Sequence, residues 1–268
     1  MAVSLPLLTR SQGAHIRELL LDRRVRAQAG AFVVEGAHAV RDLLTRYPEQ
    51  ILTIVSAHGY LPKEGQRDRL ARFASSAQQY SCSDLQFSKL SDLDAPQGIL
   101  AVVRQAAWDE GEVLSQPTVL GIFGEQLQDP ANVGAIIRTA AALNVSGLWL
   151  TPESADVYHP KVVRATSGML LALPIFAAKD VSRLIRQGCE IFAAEVAGEG
   201  TIPIDGIHRV PRKLALAVGN ESRGLSAQIR RQASTRFTIP LSRGVESLNV
   251  AATVAIATFY FSRLPKET

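Results

Sequence analysis

Cysteine and histidine are scarce in this chain, two and five among 268 residues, and neither type is grouped. Cys82 and Cys189 belong to no C-x-x-C or Cys/His pair, and His15, His38, His58, His159 and His208 stand without ligand spacing. A disulfide framework and a metal site are therefore set aside, and two free thiols are expected. No apolar run approaches the roughly 18 residues of a membrane span. The opening Met1-Ala-Val-Ser-Leu-Pro6 lacks the basic-then-apolar layout of a secretion signal, so a cytoplasmic location is expected. Neither a G-x-G-x-x-G fingerprint nor a G-x-x-x-x-G-K-[ST] loop occurs, which argues against a dinucleotide fingerprint and a phosphate loop.

What the chain does have is apolar content, 47%, enough over this length for two ordinary domains that each bury a core. The net charge of +4 is mild, yet Arg10, Arg17, Arg23, Arg24 and Arg26 crowd one segment. Such crowding suits a polyanionic partner, and equally a plain solvated helix face. Residues 11–104 alternate patterns: a helix through Ile16, Leu19 and Leu20, a strand at 31–35, a helix through Val40, Leu43 and Leu44, and a strand at 51–55. A further helix is expected at about 64–77, and a strand at 99–103 after the turn-like Asp94-Ala-Pro-Gln-Gly98. Residues 1–104 read as one compact α/β domain and the polar, unpatterned 105–117 as a linker.

Residues 118–268 make the second domain. Apolar strands at 118–123, 147–151, 190–196, 214–219 and 236–241 are separated by helices near 132–144, 160–172, 180–187, 225–233 and 247–263. Near-continuous apolar strands between helices indicate a parallel sheet covered on both faces, whose ligands bind beyond the carboxyl ends of its strands. Three motifs sit at such ends. Asn132-Val-Gly-Ala-Ile-Ile-Arg138 opens an apolar helix, and the simplest role of Asn132 is its N-cap. Positions 133, 136, 137, 140 and 143 form that helix's core stripe, leaving Gly134, Arg138, Ala141 and Val145 on a second face that is not expected to be solvated. Small residues there would admit another backbone or subunit, and an arginine among them needs an anionic or polar partner. Val218-Gly-Asn-Glu-Ser-Arg-Gly224 reads by itself as a glycine-rich turn. Ile239-Pro-Leu-Ser-Arg-Gly-Val-Glu-Ser-Leu-Asn-Val250 feeds a helix that is apolar or small on nearly every side, expected to be buried all round in the domain centre or at a subunit interface. Ser247 and Asn249 could simply cap it.

In content, order and spacing, Asn132-x-Gly-x-x-x-Arg138, Gly219-Asn-Glu-x-x-Gly224 and Ile239-Pro-Leu…Glu246-Ser-Leu-Asn-Val250 resemble the signature motifs of one family. It is the SpoU, or TrmH, family of RNA ribose 2′-O-methyltransferases in the SPOUT superfamily, and the resemblance covers about residues 117–265. Ala165-Thr-Ser-Gly-Met169 looks like the family's small-residue stretch. Phe32-Val-Val-Glu-Gly36 and Pro96-Gln-Gly-Ile-Leu100 are similar to the substrate-binding domain, itself like a small ribosomal protein, that many rRNA-directed members carry. The resemblance implies an α/β fold: a parallel-sheet SPOUT domain with a deep trefoil knot, plus that small N-terminal α/β domain. It also implies a homodimer, S-adenosylmethionine as cofactor, and RNA as partner, rRNA first.

Carried over by position, the resemblance puts Gly219, Ile239 and Leu248 around the cofactor with Val218 and Pro240 beside them. It makes Arg138, Asn132, Glu221, Ser247 and Asn249 the catalytic group, with Arg138 reaching across the dimer. The reaction implied is in-line attack of a ribose 2′-hydroxyl on the methyl carbon of the sulfonium, releasing S-adenosylhomocysteine. Because an arginine is almost always charged, Arg138 is expected to orient the hydroxyl and a neighbouring phosphate, and a base role stays open only where something unusual lowers its pKa. Arg17, Arg23, Arg24 and Arg164 are expected on the RNA. Arg243 departs from the family pattern, standing where glycine is common, with Gly244 one place later. Two rival readings are the same chemistry on tRNA, against which the separate N-terminal domain counts, and a catalytically inactive RNA-binding module, which predicts a broken motif.

Overall fold

The computed structural model describes residues 5–61 and 78–267. The helix expected at about 64–77 lies outside the described residues. The chain divides into two compact units, Met1–Ala106 with Tyr158–Leu171, and Ala107–Val157 with Ala172–Thr268.

In the first unit α1 (Arg10–Leu21) opens with a reciprocal capping box between Thr9 and Gln12. Asp22 ends α1 and caps α2 (Arg23–Ala29), which stops at Gly30 in the left-handed region. There follow β1 (Ala31–Glu35), α3 (Ala37–Arg46), β2 (Ile51–Ala57), β3 (Gln78–Cys82), α4 (Asp84–Leu90) and β4 (Ile99–Arg104). The sheet runs β1-β4-β2-β3 and only its β2/β3 pair is parallel. Ile16, Leu19 and Leu20 of α1 pack with Val55, Phe87 and Leu100 in one apolar cluster, the core that the helical spacing of α1 anticipates.

The arginines crowded into this unit largely serve its fold. Arg26 is 2% exposed, and its Nη1 donates to the carbonyls of Leu19 and Leu20 at 2.7 and 3.1 Å, satisfying acceptors that the end of α1 leaves open. Arg17 Nη1 donates to the carbonyls of Lys89 and Ser91, both at 2.9 Å. Arg24 pairs with Asp22 at 3.1 Å and Arg164 with Asp92 at 2.8 Å. Of the four arginines expected on RNA, Arg23 alone is exposed without a partner among the described residues.

The second unit begins inside the stretch read as a linker. There α5 (Glu110–Ser115) buries Val113 and Leu114 in a core shared with Val119, Phe123 and Ile191, and Lys213 Nζ donates to the Leu114 carbonyl at 2.6 Å. The six-residue helix carries only two apolar residues, Val113 and Leu114, too few to give a period, although Asp109 supplies the N-cap. The chain continues through β5 (Val119–Gly124), α6 (Pro130–Ala142), β6 (Gly147–Leu150), α7 (Pro160–Ala165, in the first unit), β7 (Ile175–Ala177) and α8 (Ser182–Arg186). It ends with β8 (Glu190–Ala194), β9 (Ile202–Pro203), β10 (Lys213–Val218), α9 (Ala227–Gln232), β11 (Thr235–Thr238) and α10 (Val250–Arg263). These strands form one sheet in the order β7-β6-β5-β10-β8-β11-β9, parallel at every pairing. Gly121 and Gly147 make room for Trp149, since a Cβ at either would lie 2.8 Å from its ring.

Two helical expectations are corrected. The helix expected at 160–172 stops at Ala165, because Ser167 and Gly168 take φ of 50° and 83°. The last helix starts at Val250 and is covered on one side only: Val254, Ala257, Thr258 and Phe261 are buried, whereas Ile256 and Phe259 are 42% and 52% exposed. Cys82 and Cys189 are free and buried, and burial pushes both thiols up to about 11.

Candidate active site

A cavity of about 470 Å³ opens at the carboxyl ends of β8, β10 and β11. This is the place where a parallel sheet leaves a crevice, because the chain runs from β5 outward to β7 and then crosses to the strands beyond β10. Val218, Gly219, Ile239 and Leu248 all line it, as do Glu221, Ser247 and Asn249. Pro240 is exposed and is not among the lining residues.

The loop after β10 is folded tightly enough to demand its glycines. A Cβ on Gly219 would come 2.2 Å from the Gly224 carbonyl carbon, and Gly224 itself has φ of 67°. Asn220 pins the turn from both ends of its amide: Oδ1 accepts from the backbone N–H groups of Ser222 and Arg223 at 3.0 and 3.1 Å, and Nδ2 donates to the Gln126 carbonyl at 2.9 Å. The whole turn from Gly219 to Gly224 lines the cavity.

A chain of side-chain hydrogen bonds joins the three motifs. Asn249 Nδ2 donates to Asn132 Oδ1 at 2.8 Å, and Asn132 Nδ2 donates to Glu221 Oε1 at 3.1 Å. Glu221 also accepts from the backbone N–H groups of Asp129 and Gln128 at 3.3 and 3.4 Å. Partial burial of Glu221 opposes its ionisation, but the Asn132 amide and these backbone donors outweigh it and hold the carboxyl below its usual range. Asn132 is thus not the helix N-cap. Asp129 caps α6 by accepting from Ala131 N–H at 2.8 Å, with Pro130 in the first turn, which frees Asn132 to bridge Glu221 and Asn249. Asn249 caps α10, its Oδ1 accepting from Ala251 and Ala252 at 2.8 and 3.3 Å. Ser247 is exposed and forms no hydrogen bond among the described residues, so only Asn249 has the capping role.

Arg138 lies on the outer side of α6, exposed and without a partner among the described residues. The expectation that this face is shielded from solvent does not hold within one chain, although Gly134 and Val145 are buried. Glu195, at the end of β8, was not anticipated. Its side chain is 8% exposed on the cavity wall, 3.3 Å from Arg230 Nε and 3.6 Å from Arg236 Nη1. Its Oε1 forms no aligned hydrogen bond, so charge attraction is what ties it to Arg230. Nothing local in the sequence marks Glu195, whereas Asn220 carries the known habit of Asn to bond its own backbone two residues on. A cavity of this volume, walled by apolar side chains and backbone with a hydrogen-bonded polar rim, accommodates a nucleoside-sized organic ligand.

Comparison with known proteins gives consistent matches along the chain. The SpoU rRNA Methylase family matches residues 120–259, and the MRM3-like substrate binding domain matches residues 15–101. An uncharacterised tRNA/rRNA methyltransferase of Synechocystis sp. is 30% identical over 257 residues, covering 93% of this chain and 90% of that protein. The 23S rRNA (uridine(2479)-2′-O)-methyltransferase of Streptomyces viridochromogenes is 29% identical, over 90% of this chain and 85% of its own. The crystal structure of an AdoMet-bound rRNA methyltransferase from Sinorhizobium meliloti superposes with a TM-score of 0.83 at 27% identity, covering 97% of both chains.

Proposed function

The chain belongs to the SpoU rRNA Methylase family, and on that premise we propose that it transfers a methyl group from S-adenosylmethionine to a ribose 2′-hydroxyl of rRNA. The observation that carries this reading is the Asn249–Asn132–Glu221 bridge, which ties three separated motifs together at the mouth of one cavity. The three relatives named above are methyltransferases by name, one of them solved with AdoMet bound, and each match covers at least 90% of this chain. The match of residues 15–101 to a substrate-binding domain favours rRNA over tRNA. With Asn132, Arg138, Glu221, Ser247 and Asn249 all in place, an inactive RNA-binding module is disfavoured.

The cavity suits the cofactor. Its volume is that of a nucleoside-sized site, and the lining turn at Gly219 is packed so tightly on Gly224 and Leu225 that a Cβ there would displace it. Bound there, S-adenosylmethionine would supply an electrophilic methyl group on a sulfonium. Val218, Gly219, Ile239 and Leu248 would hold it, and Pro240 would shape the loop from outside the wall. Glu221 keeps Asn132 oriented and Asn132 keeps Asn249 oriented, so the rim presents fixed amides toward the ribose beside Ser247. Arg138 positions the attacked hydroxyl and its neighbouring phosphate as a permanent cation.

An arginine that finds no partner in its own chain fits a site shared between two subunits. The exposed apolar face of α10, with Ile256 and Phe259, fits the same arrangement. A homodimer is therefore part of the proposal, as are a knotted C-terminal segment and a cytoplasmic site of action. Among the described residues no helix is long and apolar enough to cross a membrane. Residues 1–104 are assigned to substrate binding and 118–268 to methyl transfer, with Arg23, Arg24, Arg164 and, at its backbone-anchored position, Arg17 on the RNA-facing side.

Arg138→Ala is expected to abolish methylation of rRNA taken from cells lacking this protein, while calorimetry shows S-adenosylmethionine binding unchanged. Methylation that survives the substitution would remove Arg138 from the reaction. Absence of cofactor binding by the wild-type protein would overturn the reading as a whole.

A further inference from the structure

We propose that Arg223 and Arg243 grip the phosphodiester backbone of the RNA next to the ribose being methylated. The proposal rests on the methyl-transfer reading and adds a contact to it. Four arginines lie in or beside the cavity wall, and they divide into two kinds. Arg230 and Arg236 share the single carboxylate of Glu195 as their ion-pair partner, and Arg236 Nη2 also donates to the Glu199 carbonyl at 2.8 Å. Arg223 and Arg243 are exposed, and their side chains have no partner among the described residues.

Both guanidinium groups stay free on their loops. Arg223 lines the cavity, with its N–H fixed by Asn220 Oδ1 at 3.1 Å. Arg243 lies in the opposite loop, between the lining residues Leu241 and Glu246, and has φ of 58°. That left-handed conformation disfavours every residue with a Cβ, and such strain is found where a side chain has work to do. Glu221 and Glu246 line the cavity as well as the ion-paired Glu195, so an incoming polyanion meets two carboxylates that have no ion-pair partner among the described residues. Free cations on the two rim loops offset that repulsion where the target ribose must enter. The guanidinium fork matches a phosphate with two parallel hydrogen bonds.

The test compares Arg223→Ala, Arg243→Gly, Arg243→Lys and the Arg223→Ala/Arg243→Gly pair with wild type. Binding to rRNA from cells lacking this protein is measured across a salt series, and methylation rates on the same RNA give KM and kcat. Removing either arginine should raise KM for RNA roughly tenfold with little change in kcat, and should lower the slope of log affinity against log salt by about 0.7–0.9. Arg243→Lys should restore the slope although it keeps the strained backbone, whereas Arg243→Gly relieves the strain and should not. Unchanged KM and slope would overturn the proposal. So would a loss of S-adenosylmethionine affinity in calorimetry, which would assign these arginines to the cofactor carboxylate. Should the wild type methylate no RNA, the underlying reading fails, and the salt slopes still decide whether the two arginines bind it.

Discussion

Glu221 shows how a single residue links the site's shape to pH. It accepts from the Asn132 amide and from two backbone N–H groups, and its carboxyl is held below the ordinary glutamate value of 4.5 despite partial burial. A carboxyl whose folded pKa is depressed stabilises the fold fully above its unfolded pKa, and that stability is lost as pH falls through the folded value. Glu221→Gln should therefore lower the unfolding temperature near neutral pH, with the gap from wild type closing as both are acidified below the ordinary glutamate range. A gap that stays constant with pH would mean that the ionised carboxylate is not what Asn132 and the loop backbone hold. The same residue shows what the sequence conveyed and what it did not. Its place in Gly219-Asn-Glu was legible, because a motif at a strand end is a local pattern. Its partners were not, since they come from residues some ninety positions away. The N-cap reading of Asn132 fails for a related reason: Asp129-Pro130 is itself a cap followed by a first-turn proline, and that signal assigns the capping role elsewhere.

Elements of the second unit were legible in proportion to their burial. The strands β5, β6, β8 and β10 are apolar runs because a parallel sheet is covered on both faces, and they fall within a residue or two of expectation. β3, Gln78–Cys82, is a half-exposed edge strand of mostly polar residues, and β9 is two residues long, so neither offers a period to detect. α5 hid in an apparent linker because Val113 and Leu114 are its only apolar residues, and its burial is set by the core it meets. At this scale the sharpest structural demand is the turn after β10. Gly219→Ala places a methyl group within 2.2–2.4 Å of Gly224 and Leu225 backbone atoms, which cannot yield as a flexible side chain would. The turn must shift as a body and carry Glu221 with it, at a cost of about 1–3 kcal/mol. The variant should unfold at lower temperature and bind S-adenosylmethionine at least tenfold more weakly, roughly 1.4 kcal/mol. Normal cofactor affinity in calorimetry would mean that the turn does not shape the cavity.

For the whole molecule the central question is how many chains make one site. Within one chain, Arg138 stands exposed on α6 while the rest of the motif network is closed around the cavity. The last helix leaves Ile256 and Phe259 open on one face, with Arg263 lying 5.3 Å over the Phe259 ring. An exposed apolar face is costly to leave in water and is useful at an interface, where a free cation such as Arg138 can meet the neighbouring subunit's substrate. The wild type should therefore migrate in light scattering as two chains of 29.0 kDa, and Phe259→Asp should yield folded single chains without activity. A sharper consequence follows if Arg138 serves the partner's cavity. Arg138→Ala and Asn249→Ala should each be inactive alone, since every dimer lacks one half of both sites. Mixed after subunit exchange, they form heterodimers in which one site keeps the intact arginine and the intact Asn249 together. That mixture should recover about a quarter of wild-type activity, because half of the dimers are mixed and each holds one complete site. Recovery measured as methyl transfer to rRNA would support the shared site, and a mixture as inactive as its parts would place Arg138 and Asn249 in the same chain's site.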